Sequence, residues 1–197
     1  MKNWIFFTGA PGSRWSGVSQ QIRDNWENVD NTDLTEDKKY THHKYSGHVG
    51  NYYGPGMANG QWLEESFGTN RMWEEEINKS FSGPEDSWKL SLSHNFAYHL
   101  EQIKKQYPDS KLVMCWRPDK VCYDWWHEAG GWDISWPNYG WYENNNKMWE
   151  EICCQNRAIL EFVYKHNLTF RKPGREWFRT TWGVDRDFIF EKDDLVV

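Results

Sequence analysis

The chain has no apolar stretch approaching the roughly 20 consecutive residues that a bilayer crossing requires, and its mean hydropathy is −0.95. No membrane span is expected. Positive charge is also short: 23 Lys and Arg against 29 Asp and Glu leave a net charge of −6. A general nucleic-acid binder needs a basic face, which this composition does not supply. Cysteine is sparse and badly spaced for metal. Cys115, Cys122 and the adjacent pair Cys153–Cys154 include no C-x-x-C, so they read as reduced core residues of a cytoplasmic protein. The run Trp4–Phe7 is too short for a signal-peptide core, and no small-residue cleavage site follows it. No H-E-x-x-H accompanies His42, His43, His48, Glu64 and Glu65. Those histidines lie in a polar, loop-like segment and read as solvated or stacking rings, so no metal is expected.

Against these absences stands one dense local signal. The apolar run Asn3-Trp4-Ile5-Phe6-Phe7 leads into Thr8-Gly9-Ala10-Pro11-Gly12-Ser13-Arg14-Trp15-Ser16-Gly17. Val18, Ile22 and Trp26 then follow at helical spacing. Strand, Gly-rich loop and helix, in that order, build an anion cradle from backbone N–H groups and the positive end of the helix dipole. The loop lacks the Gly-Lys pair of an ATP-type phosphate loop. Its nearby cation is Arg14, whose planar fork is a poor copy of a compact ammonium. Kinase and NTPase chemistry is disfavoured, while a nucleotide needing no Mg²⁺ clamp is allowed.

The 197 residues are expected to form a single domain. Residues 28–60 read as an irregular polar excursion, with a short strand near 40–45 and helical patches following at 62–67 and 71–77. A strand over 88–92 stops at Ser93-His94-Asn95, and a helix over 96–106 comes next. Lys111–Trp116 is a continuous apolar run suited to a strand buried on both faces. Arg117-Pro118-Asp119 ends it, and 120–127 reads as helix. An aromatic, lid-like segment spans 125–145, then a long helix over 145–166 carries Met148, Ile152, Ile159 and Val163 on one stripe. Short strands are expected at 168–170 and 188–190. Strands separated by helices indicate a three-layer α/β domain around a parallel sheet, with a phosphate-binding loop after the first strand. Ligands of such sheets bind beyond the carboxyl ends of the strands. Three of those ends carry polar groups: the Gly9–Ser16 loop, His94 and Arg117.

Taken together, these three segments resemble the sulfotransferase family that uses the sulfate donor PAPS. Thr8–Ser13 looks like the 5′-phosphosulfate loop, written G-A-P-R-S-G-T-T in bacterial members. Lys89–His94 is similar to the strand ending in the catalytic His. Lys111–Val121 looks like the strand and R-x-P-x-D-V turn that grip the 3′-phosphate. The match covers about half the chain, in the family's order.

The resemblance implies PAPS as donor, PAP as product, and a small-molecule or carbohydrate acceptor. It implies His94 as the base that takes the acceptor proton, and Arg14 with the loop amides at the leaving 5′-phosphate. It further implies a donor site built from Gly9, Ala10, Pro11, Gly12, Ser13, Arg14, Trp15 and Ser16, with Arg117 at the 3′ end. Asp124 falls where the family has a Ser that helps hold the 3′-phosphate, and a carboxylate there repels phosphate. Gly12 stands where the family's loop has Lys or Arg, and Leu92 where many cytosolic members have Lys. The late R-K-G-x-x-G-D-W segment is echoed faintly by Arg171–Trp177.

The alternative is a binding module on the same fold. Trp125, Trp126, Trp132, Trp136, Tyr139, Trp141 and Tyr142 are dense enough to stack on sugar rings, which suits a non-catalytic glycan or nucleotide binder. The same residues also suit a lid and core.

Overall fold

A computed structural model of the protein describes residues 3–13, 15–30, 51–52, 81–133, 143–168 and 178–182. Strand β1, Asn3–Gly9, is buried at every position after Asn3, the pattern of a strand covered on both faces. It occupies the middle of the sheet. On one side it pairs in parallel with β4, Trp88–Leu92, with Ile5 opposite Leu90. On the other it pairs in parallel with β5, Lys111–Trp116, with Phe7 opposite Val113. Two short strands, β2 (Val29–Asp30) and β3 (Asn51–Tyr52), also run parallel to β4. With a sixth strand, β6 (Phe178–Trp182), the strand order is β2-β4-β1-β5-β6, with β3 pairing β4. The class is therefore α/β with a parallel sheet, as the alternating pattern implies.

One strand departs from the all-parallel expectation. β6, Phe178–Trp182, pairs antiparallel with β5, with Leu112 opposite Trp182. An antiparallel strand at the edge of an otherwise parallel sheet is a common arrangement.

Alternation along β1 sends neighbouring side chains to opposite faces, and each set belongs to its own core. Ile5 and Phe7 pack with Val18 and Ile22 of helix α1 (Trp15–Asn25) and with Trp26 just beyond it. Cys122 and Trp126 of α3 (Asp119–Glu128) join them, as do Met148 and Ile152 of α4 (Asn145–Lys165). Trp4 and Phe6 pack instead with Phe96, Leu100 and Ile103 of α2 (Phe96–Gln106) and with Ile159, Phe162 and Val163 of α4. Helix α4 thus serves both cores. Its start is fixed by Asn144, whose Oδ1 accepts from the Lys147 amide at 3.0 Å.

The expected strands 88–92 and 111–116 and the helix 96–106 are found with those bounds. The next helix gains a residue at each end, and the long helix closes at Lys165. Leu168 lies in no strand but packs against the second core. The expected elements at 40–45, 62–67, 71–77 and 188–190 fall outside the described residues. None of the four cysteines is joined in a disulfide, and of the four expected core residues only Cys115 and Cys122 lie in the core. Cys153 is half-buried and Cys154 exposed, because both fall off the apolar stripe of α4. Among the described residues no helix is long and apolar enough to cross a membrane.

Packing of α1 on the sheet rests on few side chains, so it can be tested directly. Ile22 is fully buried, whereas Arg23 is exposed and paired with its neighbour Asp24. Ile22→Ala is expected to cost about 2–5 kcal/mol in denaturant unfolding, and Arg23→Ala about 0.5 kcal/mol or less. Equal losses would mean that α1 is not docked through Ile22.

Candidate functional site

Because β1 lies between two parallel partners, the turns leaving β4, β1 and β5 emerge side by side on one edge of the sheet. The turn after β1 is tight. The Ser13 amide donates to the Ala10 carbonyl at 3.0 Å, and Gly12 has φ +79°. Proline second and a positive-φ glycine third is the pattern of a type II turn. Gly12 is required twice over. A Cβ there would stand 1.9 Å from the Cys122 carbonyl oxygen, so α3 presses directly on the loop backbone. Ser13 is fully buried and its Oγ has no hydrogen-bond partner among the described residues. The Ser13 amide, one of the loop N–H groups expected to face a phosphate, is spent inside the turn.

His94 begins the turn after β4. The Ser93 amide donates to the Phe7 carbonyl at 3.1 Å and Thr8 Oγ1 donates to the His94 carbonyl at 3.2 Å, so the backbone here is tied to β1. The ring reaches the loop itself, with Nδ1 2.5 Å from the Gly9 carbonyl oxygen. A carbonyl can only accept, so the proton sits on Nδ1 and Nε2 carries the lone pair of the neutral ring. His94 is 3% exposed. Burial pushes its pKa down to about 4, with the Gly9 bond working in the opposite sense. The ring is therefore neutral at pH 7, the form in which a base must start, but well below the range at which a base works best.

Arg117 follows β5 and is 2% exposed. Its Nη1 donates to the Gly12 carbonyl at 3.2 Å, and the guanidinium lies 5.3 Å from the centre of the Trp125 ring. Its own carbonyl accepts from Asn156 Nδ2 at 2.8 Å and from the Cys122 thiol at 3.6 Å. Burial pushes the Cys122 thiol up to about 12, so it keeps the proton it donates. His94 on Gly9 and Arg117 on Gly12 join all three strand ends at one loop.

The other expected site residues are placed unevenly. Arg14 lies outside the described residues. Trp15 and Ser16 open α1, whose first turn carries no acidic side chain. Beside Gly17 in that turn, nothing among the described residues lies within 4 Å of where a Cβ would stand. Asp124 is exposed on α3 and paired with Lys120 at 2.6 Å, and the residue of α3 that meets Gly12 is Cys122. Trp126 is buried, Trp125 half-buried and Trp132 exposed. Trp136, Tyr139, Trp141, Tyr142, His42, His43, His48, Glu64 and Glu65 lie outside the described residues. Among the described residues no group of His, Cys, Asp or Glu is arranged to hold a metal.

Asn156 was not among the expected residues. It is 2% exposed on α4, between Ile152 and Ile159. The signal for it was a polar side chain interrupting the apolar stripe of that helix. Comparison with protein-family models, curated proteins and solved structures finds no match to this chain.

The buried imidazole makes a signed prediction for stability. The folded pKa near 4 lies below the ordinary value of 6.5. The neutral ring's contribution is thus complete above pH 6.5 and falls away as pH drops through 4. At ~1.36 kcal/mol per unit the loss is about 3 kcal/mol. His94→Asn keeps a donor near the Gly9 carbonyl but cannot titrate. Its stability is expected to fall about 3 kcal/mol less than wild type between pH 7 and pH 4. Parallel stability curves for the two proteins would show that His94 is not held neutral by burial.

Proposed function

We propose that the chain is a PAPS-dependent sulfotransferase of three-layer, P-loop-like architecture, moving a sulfuryl group to a hydroxyl of a small molecule or glycan. One observation carries the reading. Three segments up to about a hundred residues apart meet at the carboxyl ends of three adjacent parallel strands, tied by the His94–Gly9 and Arg117–Gly12 hydrogen bonds.

The residues present fit a phosphate-bearing donor. Among the described residues the Ser13 hydroxyl is buried without a partner and nothing stands within 4 Å of a Cβ at Gly17, and the first turn of α1 is free of acidic side chains. PAPS supplies the sulfuryl group when bound. The α1 N-terminus and the Ser13 hydroxyl are suited to hold the 5′-phosphate end, where negative charge gathers as the acceptor oxygen displaces it from sulfur. Arg117 supplies a fixed positive charge beside the same loop. His94 Nε2 takes the proton released by the acceptor hydroxyl.

A second reading, a donor or glycan binder without chemistry, is favoured by one fact. His94 is buried, tied to Gly9 and pushed to a pKa of about 4, which suits a structural post as well as a base.

Thermal unfolding with PAP tests the common part. Saturation is expected to stabilise the protein by about 2.7 kcal/mol at a hundredfold excess over Kd, and no melting shift at millimolar PAP would overturn the donor site. Sulfuryl transfer from labelled PAPS to a panel of sugars and phenols separates the two readings. His94→Asn is expected to cut turnover by about 10²–10⁴ while leaving the PAP shift intact. PAP binding with no transfer to any acceptor would leave the binding reading in its place.

A further inference from the structure

Asn156 does more than fill a helix stripe. A buried amide is costly unless its hydrogen bonds are made; Asn156 Oδ1 has no partner among the described residues, and Nδ2 makes three bonds, the longest to Cys122 Sγ at 3.9 Å. The two short ones go to the Arg117 carbonyl at 2.8 Å and to Asp119 Oδ1 at 2.7 Å. Arg117 is the first residue past β5, and Asp119 is the first residue of α3. One amide group therefore spans the whole bend between strand and helix. Both partners are acceptors, a carbonyl and a carboxylate, so the clamp needs a double N–H donor. Aspartate at this position would gather acceptors with no donor between them. The bend it holds is the one that returns the Arg117 guanidinium to the Gly12 carbonyl and sets the Cys122 carbonyl against Gly12.

We infer that Asn156 is a positioning residue of the donor site. By clamping the Arg117–Asp119 bend it fixes the guanidinium against the loop, acting through Arg117 without touching the ligand. The inference rests on the phosphate-site reading above for its functional consequence, though not for the clamp itself.

The test uses Asn156→Asp and Asn156→Ser, the second being smaller and free of added charge, each checked for a cooperative melt. Two readouts are taken: the Kd for PAP, and the Nε–Hε NMR resonance of Arg117 in the ligand-free protein. Each substitution is expected to raise Kd about tenfold and to displace the Arg117 resonance. In an Arg117→Ala background the same substitutions should change Kd by less than about twofold, because the residues act as one unit. Additive losses, or an unchanged Kd and resonance in a folded Asn156→Ser protein, overturn the inference. If wild type ignores PAP, the donor reading falls, and the Arg117 resonance alone decides whether Asn156 sets the guanidinium.

Discussion

The constraint on which the rest depends is the double parallel pairing of β1. A strand flanked on both sides by parallel neighbours leaves no room for a connection within the sheet, so each chain must turn away at the same edge. That sets Leu92 opposite Phe7 and Cys115 opposite Gly9, and brings the residues after these strand ends within hydrogen-bonding reach. The pairing needs β1 buried on both faces, which six consecutive buried residues provide. The tight turn after β1 and the approach of α3 to Gly12 then follow as packing consequences. A side chain at Gly12 would push α3 off the loop, and with it the bend that carries Arg117.

The chemistry of the edge is set by burial more than by net charge. A chain of charge −6 concentrates a buried guanidinium, a helix N-terminus without acidic residues and an unpartnered hydroxyl around one loop. The exposed carboxylate of Asp124 on α3 is paired with Lys120. Its repulsion of an anion is therefore screened by both water and a lysine. The same burial that protects the site holds His94 neutral. That leaves Nε2 unprotonated at pH 7 and the ring a weak base.

Much of this was legible in the residues. The strands at Trp88–Leu92 and Lys111–Trp116 stand out as apolar runs, and helices α1, α2 and α4 as 3.6-period stripes. The last described strand, Phe178–Trp182, was not legible at all, since Phe-Arg-Thr-Thr-Trp offers neither an apolar run nor a strict alternation. The site was half-legible. His94 and Arg117 could be picked out because each ends an apolar run, which fixes their place at the strand ends. Asn156 and Cys122 act through contacts across 39 and about 110 residues of chain, and no local pattern encodes such partners. The burial of His94 was also out of reach, because it depends on how the turns after β1 and β4 pack together.

Whether the three strand ends form one anion site is tested most directly by mapping PAP onto the folded protein with backbone and arginine NMR. The expected result is a contiguous set of shifts at Gly12, Ser13, the first turn of α1 and the Arg117 side chain, saturating together with a single affinity. Shifts confined elsewhere, for instance to the groove between α2 and α4 lined by Ala97, Leu100 and Phe162, with Gly12 and Arg117 unmoved at saturation, would contradict a shared site.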